Sequence, residues 1–528
     1  MSNTAKIQAH NVTIMRDEHL LAKAENLKPV LRKSEVLPNR LVEVRSDSES
    51  IHGWNVFEIG SAADLSNTKL GKSDSVIVDF GDHRVGYLSF AVSPVGSPPD
   101  APLKLKLTFG EMPVEVAEPF SSYNGWISSS WLQEELMFID VLPAKIELPR
   151  RYSFRYLKIE VLDTSPKYRV VFDSLSCHTV TSADRSSLQS LKHQEPEMEA
   201  LDRVSIRTLE DCMQDVFEDG PKRDRRLWLG DLRLQALANY ETFKSNNLVK
   251  RCLYLFAGLP DEHGRVSANL FIEPKLIADD TYLYDYSLLF TVTLCDYWEA
   301  TGDQETLQDL WPTARRQIEL ALENVEDGLV QDRDSWWSFI DWHEDLNKQA
   351  PSQGVLIYTL KRAVRLANAI GGEEGKNCSD LWNKEIRFTE NAAMENLWDE
   401  NLEFFVSGEA RQLSWASQIW MVLAEVLPEE QNRKLLLQLI EEKTLIGMTT
   451  PYLYHYLTEA LLVAGLREEA ITLIRSYWGG MIRDGADTFW ELYDPHNKSY
   501  SPYGSNLINS YCHAWSCTPT YLIRKYGL

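Results

Sequence analysis

Hydrophobic and polar positions follow two different periods along the chain, and the change falls near residue 190. From about residue 40 to residue 185 they alternate in short runs, as in residues 103–109, which read Leu-Lys-Leu-Lys-Leu-Thr-Phe. Such alternation predicts a half-buried strand. Similar runs separated by Gly, Pro and Ser lie at residues 75–80, 85–90, 154–161 and 168–172. Short strands at this spacing predict an antiparallel β-sandwich.

After residue 190 the apolar residues recur at helical spacing. The pattern predicts about twelve helices, at residues 198–217, 232–243, 247–256, 282–300, 306–325, 355–369, 378–398, 415–427, 429–440, 453–464, 468–478 and 506–525. Short connections make successive helices antiparallel neighbours, so six hairpins closing into an (α/α)6 barrel are expected. An open helical array is the alternative, because no repeat is visible. The predicted chain is therefore multidomain all-β plus all-α, with a β-sandwich at residues 1–190 and the (α/α)6 barrel at residues 191–528.

Composition and net charge limit the classes of molecule that the chain is expected to bind. The 528 residues carry a formal net charge of −24, which argues against nucleic acid and anionic membranes. The chain has no run of eighteen apolar residues, and its first residues lack the apolar core of a signal peptide. Seven scattered cysteines, with no pairing that completes a zinc site, are typical of reduced thiols. These features predict a cytoplasmic enzyme for small neutral molecules, without metal or cofactor, and they permit a homodimer.

Residues 219–231, Asp-Gly-Pro-Lys-Arg-Asp-Arg-Arg-Leu-Trp-Leu-Gly-Asp, form the most informative segment. The Gly-Pro pair cannot lie inside a helix, so Asp219 and Asp224 are predicted on a loop. Asp231 is predicted to cap the helix that follows. Acids beside an indole, here Trp228, suit a sugar, because the ring stacks on its apolar face while carboxylates bind hydroxyls or move protons. A solvated turn is the alternative interpretation.

Residues 485–491, Gly-Ala-Asp-Thr-Phe-Trp-Glu, form a second acid-rich loop. Glu491 beside Trp490 is what a glycosidase would use as its second carboxylate, and a solvated glutamate is the alternative. Asp341 and Trp342 also lie between predicted helices, and these two residues and Trp490 are predicted to contact substrate. A barrel of hairpins gathers such connecting segments around one mouth, where they line a shared pocket.

Together the two loops resemble the α-L-rhamnosidases of glycoside hydrolase family 78. The resemblance lies in Asp219-x4-Asp224-x6-Asp231 with Arg223 and Trp228-x-Gly230, in the 485–491 loop, in residues 505–516 with His513, and upstream in residues 79–87, 109–111 and 150–156. It spans about residues 70–528 in order. Two departures are visible: the middle acid, often Glu in this family, is Asp224, and the usual extra carbohydrate-binding domains are absent.

The resemblance implies an exo-acting, inverting hydrolase that releases terminal α-L-rhamnose from small rhamnosides. It implies Asp224 as general acid and Glu491 as general base, because inversion needs one acid for the leaving oxygen and one carboxylate for water. It further implies that Asp219 and Asp231 bind rhamnose hydroxyls and that Arg223 holds a hydroxyl or a neighbouring carboxylate in place.

Three arginines, Arg223, Arg225 and Arg226, flank the predicted acid Asp224. Nearby cations lower a carboxyl pKa, whereas a general acid needs a raised one. The guanidinium groups therefore point away, or burial against the neighbouring indole outweighs them. His513 also has two interpretations, a core histidine and a sugar contact.

Two other classes of function compete with this interpretation. One is another (α/α)6 exo-glycosidase or an unsaturated uronyl hydrolase, which would aim cationic groups at a substrate carboxylate. The other is a non-catalytic carbohydrate-binding protein, against which the retention of both Asp224 and Glu491 argues.

Overall fold

The computed structural model describes residues 12–193, 195–442 and 444–528. Its N-terminal part contains nine strands and two short helices. They are α1 (Glu18–Asn26), β1 (Arg32–Val36), β2 (Arg40–Ser46), β3 (Trp54–Ser61), β4 (Ser75–Gly96), β5 (Leu103–Gly110), α2 (Pro113–Ala117), β6 (Glu134–Ile139), β7 (Ala144–Glu147), β8 (Tyr152–Asp163) and β9 (Tyr168–Thr181).

Strand β4 organises this domain. Its first part pairs with β2 and β8 and its second part with β7 and β9, and every pairing is antiparallel. Strands β5 and β6 extend the sheet from β8, β3 extends it from β2, and β1 pairs with β9. One buried cluster joins side chains from both parts, such as Val78, Leu157 and Phe172. The antiparallel β-domain is confirmed, and its packing as a sandwich stays a prediction.

Residues 81–83, which the sequence pattern places between two strands, lie inside β4 instead. The register of β4 against β8 shifts between Asp79 and Arg84. Asp79 is fully buried and accepts hydrogen bonds from Nε of Arg40 and of Arg155, each at 3.0 Å. These charge-assisted hydrogen bonds stabilise the irregular part of β4 between Asp79 and Arg84. The alternation of apolar and polar side chains does not predict this irregularity.

The remaining chain is helical, with short strand pairs between helices. The helices are α3 (Pro196–Cys212), α4 (Leu229–Glu241), α5 (Asn246–Ala257), α6 (Tyr284–Thr301), α7 (Gln304–Leu322), α8 (Gln349–Ile370), α9 (Gly372–Asn396), α10 (Trp415–Leu423), α11 (Glu429–Glu441), α12 (Pro451–Val463), α13 (Arg467–Arg483) and α14 (Pro519–Tyr526). The strands are β10 (Leu227–Trp228), β11 (Asn269–Phe271), β12 (Ile277–Ala278), β13 (Val325–Glu326), β14 (Leu329–Val330), β15 (Trp398–Asp399), β16 (Phe404–Ser407) and β17 (Gln412–Leu413).

Alternate helices contact one another in a cycle. Helix α4 packs on α6, α6 on α8, α8 on α10, α10 on α12, α12 on α14, and α14 again on α4. Helices α5, α7, α9, α11, α13 and α3 each pack on members of this cycle. This order is what a barrel of six hairpins requires, and the barrel itself stays a prediction.

The predicted helix at residues 506–525 is wrong over most of its length. Only short 3₁₀ turns at Asn506–Ile508 and Ala514–Ser516 precede α14. The backbone N–H of Tyr511 donates to Oε2 of Glu111 at 2.7 Å, and that of His513 donates to the carbonyl of Phe489 at 2.9 Å. These long-range partners replace the bonds that a helix would have formed.

The two domains meet closely. Strand β9 ends at Thr181 and α3 begins at Pro196, while the boundary at residue 190 stays a prediction. Helix α1 packs on α5, and Leu20 and Leu21 join the hydrophobic cluster of the helical domain. None of the helices in the described ranges is long and apolar enough to cross a membrane.

Candidate active site

A cavity of about 250 Å³ collects most of the predicted site residues. Its lining residues come from both domains. They are Trp126, Ile127, Trp131, Asp219, Arg223, Asp224, Trp228, Asp231, Thr281, Leu283, Tyr286, Trp337, Phe339, Trp342, Glu491, Tyr503, His513 and Trp515. Eight of the ten residues predicted to act in the site therefore face one space, although 267 positions separate Asp224 from Glu491 in the chain.

Asp219 holds the acidic loop in shape. Its Oδ2 accepts the backbone N–H of Asp224 and its Oδ1 that of Arg226, each at 3.0 Å. A Cβ on Gly220 would lie 2.5 Å from the carbonyl oxygen of Arg223, so only glycine fits this turn. Burial, helped by the negative charge of Asp224, raises the pKa of Asp219 to about 7.

Glu491 is fixed by two donors. Nη2 of Arg223 donates to its Oε2, and the Tyr503 hydroxyl donates to its Oε1 at 2.5 Å. The Arg223 guanidinium also lies 4.2 Å from the centre of the Tyr503 ring. Glu491 is 4% exposed and Arg223 6%, so this ion pair is shielded from solvent. Shielding of this kind strengthens a charge-assisted hydrogen bond and orients both groups.

Asp224 lies on the other side of the same guanidinium. Its Oδ1 is 3.8 Å from Nη1 of Arg223, and its side chain is 24% exposed. The two further flanking arginines point away, because Nε of Arg225 donates to the carbonyl of Pro221 at 2.8 Å and Arg226 lies 4.1 Å from the Phe271 ring. The Asp224 side chain is thus more accessible to solvent than that of Glu491.

Asp231 does not cap its helix as predicted. Helix α4 begins two residues earlier, and Asp231 lies in its first turn, buried. Its Oδ1 lies 3.1 Å from Nε2 of His513, an ion pair without the alignment of a hydrogen bond. Burial opposes a charge on His513, but Asp231 and Glu491 outweigh burial and raise its pKa to about 9. His513 is therefore cationic at neutral pH and faces the cavity.

Two predicted contacts lie outside the cavity lining. Asp341 is fully buried, and its oxygens accept hydrogen bonds from the backbone N–H of Thr449 at 2.7 Å and the Thr450 hydroxyl at 2.6 Å. Trp490 is buried and packs edge-on against Tyr493 and Tyr511. Asp341 thus ties two connecting segments together and Trp490 packs in the core. Substrate contact by either residue stays a prediction.

Sequence reasoning missed the aromatic wall. Tyr503 and Trp515 follow the second acidic loop, and the indole Nε1 of Trp515 donates to the Glu491 carbonyl at 3.0 Å. Trp126 and Trp131 come from the β-domain, in the connection between α2 and β6. Trp228 and Trp342, which the sequence predicts in the site, line the cavity together with Trp337. Tyr503 lies next to a glycine in a loop, and this pattern could have marked it as a site residue. No local pattern in the sequence places Trp126 near the acids.

A buried ion pair anchors the acidic loop to the β-domain. Nζ of Lys222 donates to Oε1 of Glu115 at 2.5 Å and to the carbonyl of Asn509 at 2.8 Å. The second oxygen of Glu115 accepts the backbone N–H groups of Glu111 and Met112, at 2.7 and 2.8 Å. One lysine thus joins the β-domain, the acidic loop and the segment that precedes His513.

His83, Asp211 and Cys512 present possible metal ligands within 4.8 Å of one another. The imidazole is already bonded, with Nδ1 2.8 Å from Asp211 and Nε2 3.1 Å from Glu111. Burial opposes its charge, but the neighbouring anionic groups outweigh burial and raise the pKa of His83. An imidazolium that donates to two carboxylates accounts for this arrangement as a contact between the domains.

A cavity of monosaccharide size that is lined by carboxylates and aromatic rings is typical of a glycoside hydrolase. Two family models match the chain. Residues 38–179 match the glycosyl hydrolase family 78 alpha-rhamnosidase N-terminal domain, and residues 186–526 match the bacterial alpha-L-rhamnosidase 6 hairpin glycosidase domain. The chain belongs to the α-L-rhamnosidases of glycoside hydrolase family 78, which are hydrolases that release α-L-rhamnose.

Solved structures agree with this family. The chain is similar to a rhamnosidase from Klebsiella oxytoca with rhamnose bound, at 51% identity and a TM-score of 0.95, covering 98% of this chain and 100% of that one. It shares its fold with a family 78 rhamnosidase of Bacillus sp. GL1, at 21% identity and a TM-score of 0.74, covering 89% of this chain and 49% of that one. An α-L-rhamnosidase of Streptomyces avermitilis has 17% identity and a TM-score of 0.66, covering 94% of this chain and 44% of that one. Among curated proteins, none matches the chain.

Proposed function

We propose that the protein is an exo-acting, inverting α-L-rhamnosidase in which Asp224 is the general acid and Glu491 the general base. The observation that carries the proposal is the different depth of the two carboxylates in one cavity. Asp224 is 24% exposed, which suits a residue that protonates a departing group, and Glu491 is 4% exposed, which suits a residue that activates an enclosed water. Both carboxylates contact the same Arg223 guanidinium, which holds them at one site, and inversion requires that they lie far enough apart to admit a water.

In the proposed mechanism, Asp224 protonates the glycosidic oxygen while Glu491 takes a proton from a water on the opposite face of the sugar ring. The hydrogen bonds of Glu491 with Arg223 and Tyr503 orient its carboxylate toward that water. Positive charge develops on the sugar in the transition state, and nearby carboxylates stabilise it.

The remaining polar groups are proposed to bind rhamnose. Asp231 and His513 face the cavity as an ion pair and together offer an acceptor and a donor for neighbouring hydroxyls. Asp219 has one backbone bond on each oxygen and retains lone pairs for a hydroxyl. Trp228 and Trp342 supply apolar surface for the sugar face.

The size of the cavity and the burial of its inner side chains support exo action on small substrates. A cavity of about 250 Å³, closed by buried side chains such as Tyr286, Phe339 and Trp515, suits one terminal sugar. The closed cycle of helix contacts supports the (α/α)6 barrel as its frame. All seven cysteines are free, which supports a cytoplasmic location. The homodimer stays a prediction.

A panel of p-nitrophenyl glycosides tests this function. We expect the α-L-rhamnoside to be hydrolysed at least about 100-fold faster than the α-D-mannoside, β-D-glucoside and unsaturated uronide substrates. The wrong sugar leaves buried polar groups of the site without partners, and discrimination of this order is the usual result. Polysaccharides with internal rhamnose should be barely cleaved. Rapid release from a uronide, or efficient depolymerisation of such a polymer, would contradict the proposal.

A further inference from the structure

The cavity has an outer rim that the proposed chemistry leaves unused. Trp126, Ile127 and Trp131 reach it from the β-domain, and Trp337 reaches it from the helical domain. Trp126 is 55% exposed, a large apolar surface at the mouth of a cavity whose inner groups are buried. An exposed indole at the mouth of a pocket leaves apolar surface in contact with water. A ligand that covers this surface is favoured, so such an indole is a candidate binding surface.

Two hydrogen bonds join Trp126 to the segment that contains Tyr503. The backbone N–H of Trp126 donates to the carbonyl of Tyr503 at 3.2 Å, and its indole Nε1 donates to the carbonyl of Pro502 at 2.7 Å. The Trp126 and Tyr503 rings lie 5.8 Å apart, and the Tyr503 hydroxyl is bonded to Glu491. The exposed indole therefore has a fixed position relative to the proposed base, and a fixed platform loses little entropy when a ligand stacks on it.

We propose that Trp126 forms a leaving-group site and stacks on a planar aromatic leaving group. The inference rests on the proposed function, since an exo-acting enzyme places the sugar inside and the leaving group at the mouth, near the accessible Asp224. A second sugar would bring several hydroxyls that need polar partners. The rim is instead mainly apolar, with Trp126, Ile127, Trp131 and Trp337. An aryl group is therefore the leaving-group class that this rim binds.

The test compares Trp126→Ala with wild type on p-nitrophenyl and methyl α-L-rhamnoside. We expect kcat/KM to fall by about 3- to 10-fold on the aryl substrate, the usual size of an aromatic contact, and by less than about 2-fold on the methyl substrate. Trp126→Phe keeps a ring and should lose less on the aryl substrate. Phe138→Ala removes another exposed aromatic of the same domain, 65% exposed and outside the cavity, and should match wild type on both substrates.

The outcomes separate the inference from the function on which it rests. Equal losses on both substrates would show that Trp126 supports the shape of the site, and no loss on the aryl substrate would show that the leaving group does not touch it. A larger loss on a rhamnosyl-glucose disaccharide would assign the rim to a sugar. Each of these results overturns the inference. Failure of the proposed function would appear in the wild-type protein, as rhamnosides left intact or the wrong anomer released.

Discussion

Replacement of Asp224 by asparagine is expected to lower kcat on alkyl rhamnosides by about 10²–10⁴-fold, because the leaving oxygen then departs without a proton. The loss should shrink for 2,4-dinitrophenyl α-L-rhamnoside, whose leaving group needs little protonation. The measurement is kcat across a series of rhamnosides ordered by the acidity of the leaving group.

Asp345→Asn is the matched control, because Asp345 is an exposed acid outside the cavity. It should follow wild type over the whole series. If Asp224→Asn loses the same factor on good and poor leaving groups, Asp224 is not the proton donor. The backbone N–H of residue 224 still donates to Asp219 in the variant, so the loop should keep its shape.

Replacement of Glu491 by glutamine is expected to lower kcat by a similar factor, about 10²–10⁴, on every rhamnoside. Water activation is needed whatever group departs, so a good leaving group should not rescue this variant. The amide also disrupts the ion pair with Arg223. The measurement is the same substrate series, and the opposite response of the two variants separates the acid from the base.

Glu344→Gln, at an exposed position outside the cavity, controls for the loss of one negative charge. Rescue of Glu491→Gln by the dinitrophenyl substrate would assign proton donation to Glu491. A variant that remains near wild type would remove Glu491 from the chemistry. Binding of L-rhamnose by each variant shows whether the cavity itself is intact.

Side-chain periodicity predicted the elements whose packing is regular. The alternation at residues 103–109 predicted β5, observed at Leu103–Gly110, and the helical spacing at residues 282–300 predicted α6, observed at Tyr284–Thr301. It failed at residues 506–525, which have helical spacing but bond through their backbone to Glu111 and Phe489. Partners that distant in sequence leave no local pattern.

The candidate site could be predicted where acids and an indole lie close together in the sequence, as in the 219–231 loop. The same local signature occurs at Asp341, but its oxygens accept hydrogen bonds from Thr449 and Thr450, partners that no local pattern reveals. Trp126 could not be predicted, because only the docking of the β-domain on Pro502 and Tyr503 brings it to the cavity.

The central claim is that Asp224 and Glu491 act on opposite faces of the sugar, with carboxyls roughly 6.5–9.5 Å apart rather than the ~5 Å of a retaining pair. Proton NMR of the first sugar released from an α-L-rhamnoside, recorded before mutarotation, tests it most directly. The account predicts β-L-rhamnose as the initial product. Initial release of α-L-rhamnose, or a trapped covalent rhamnosyl-enzyme at Glu491, would contradict it.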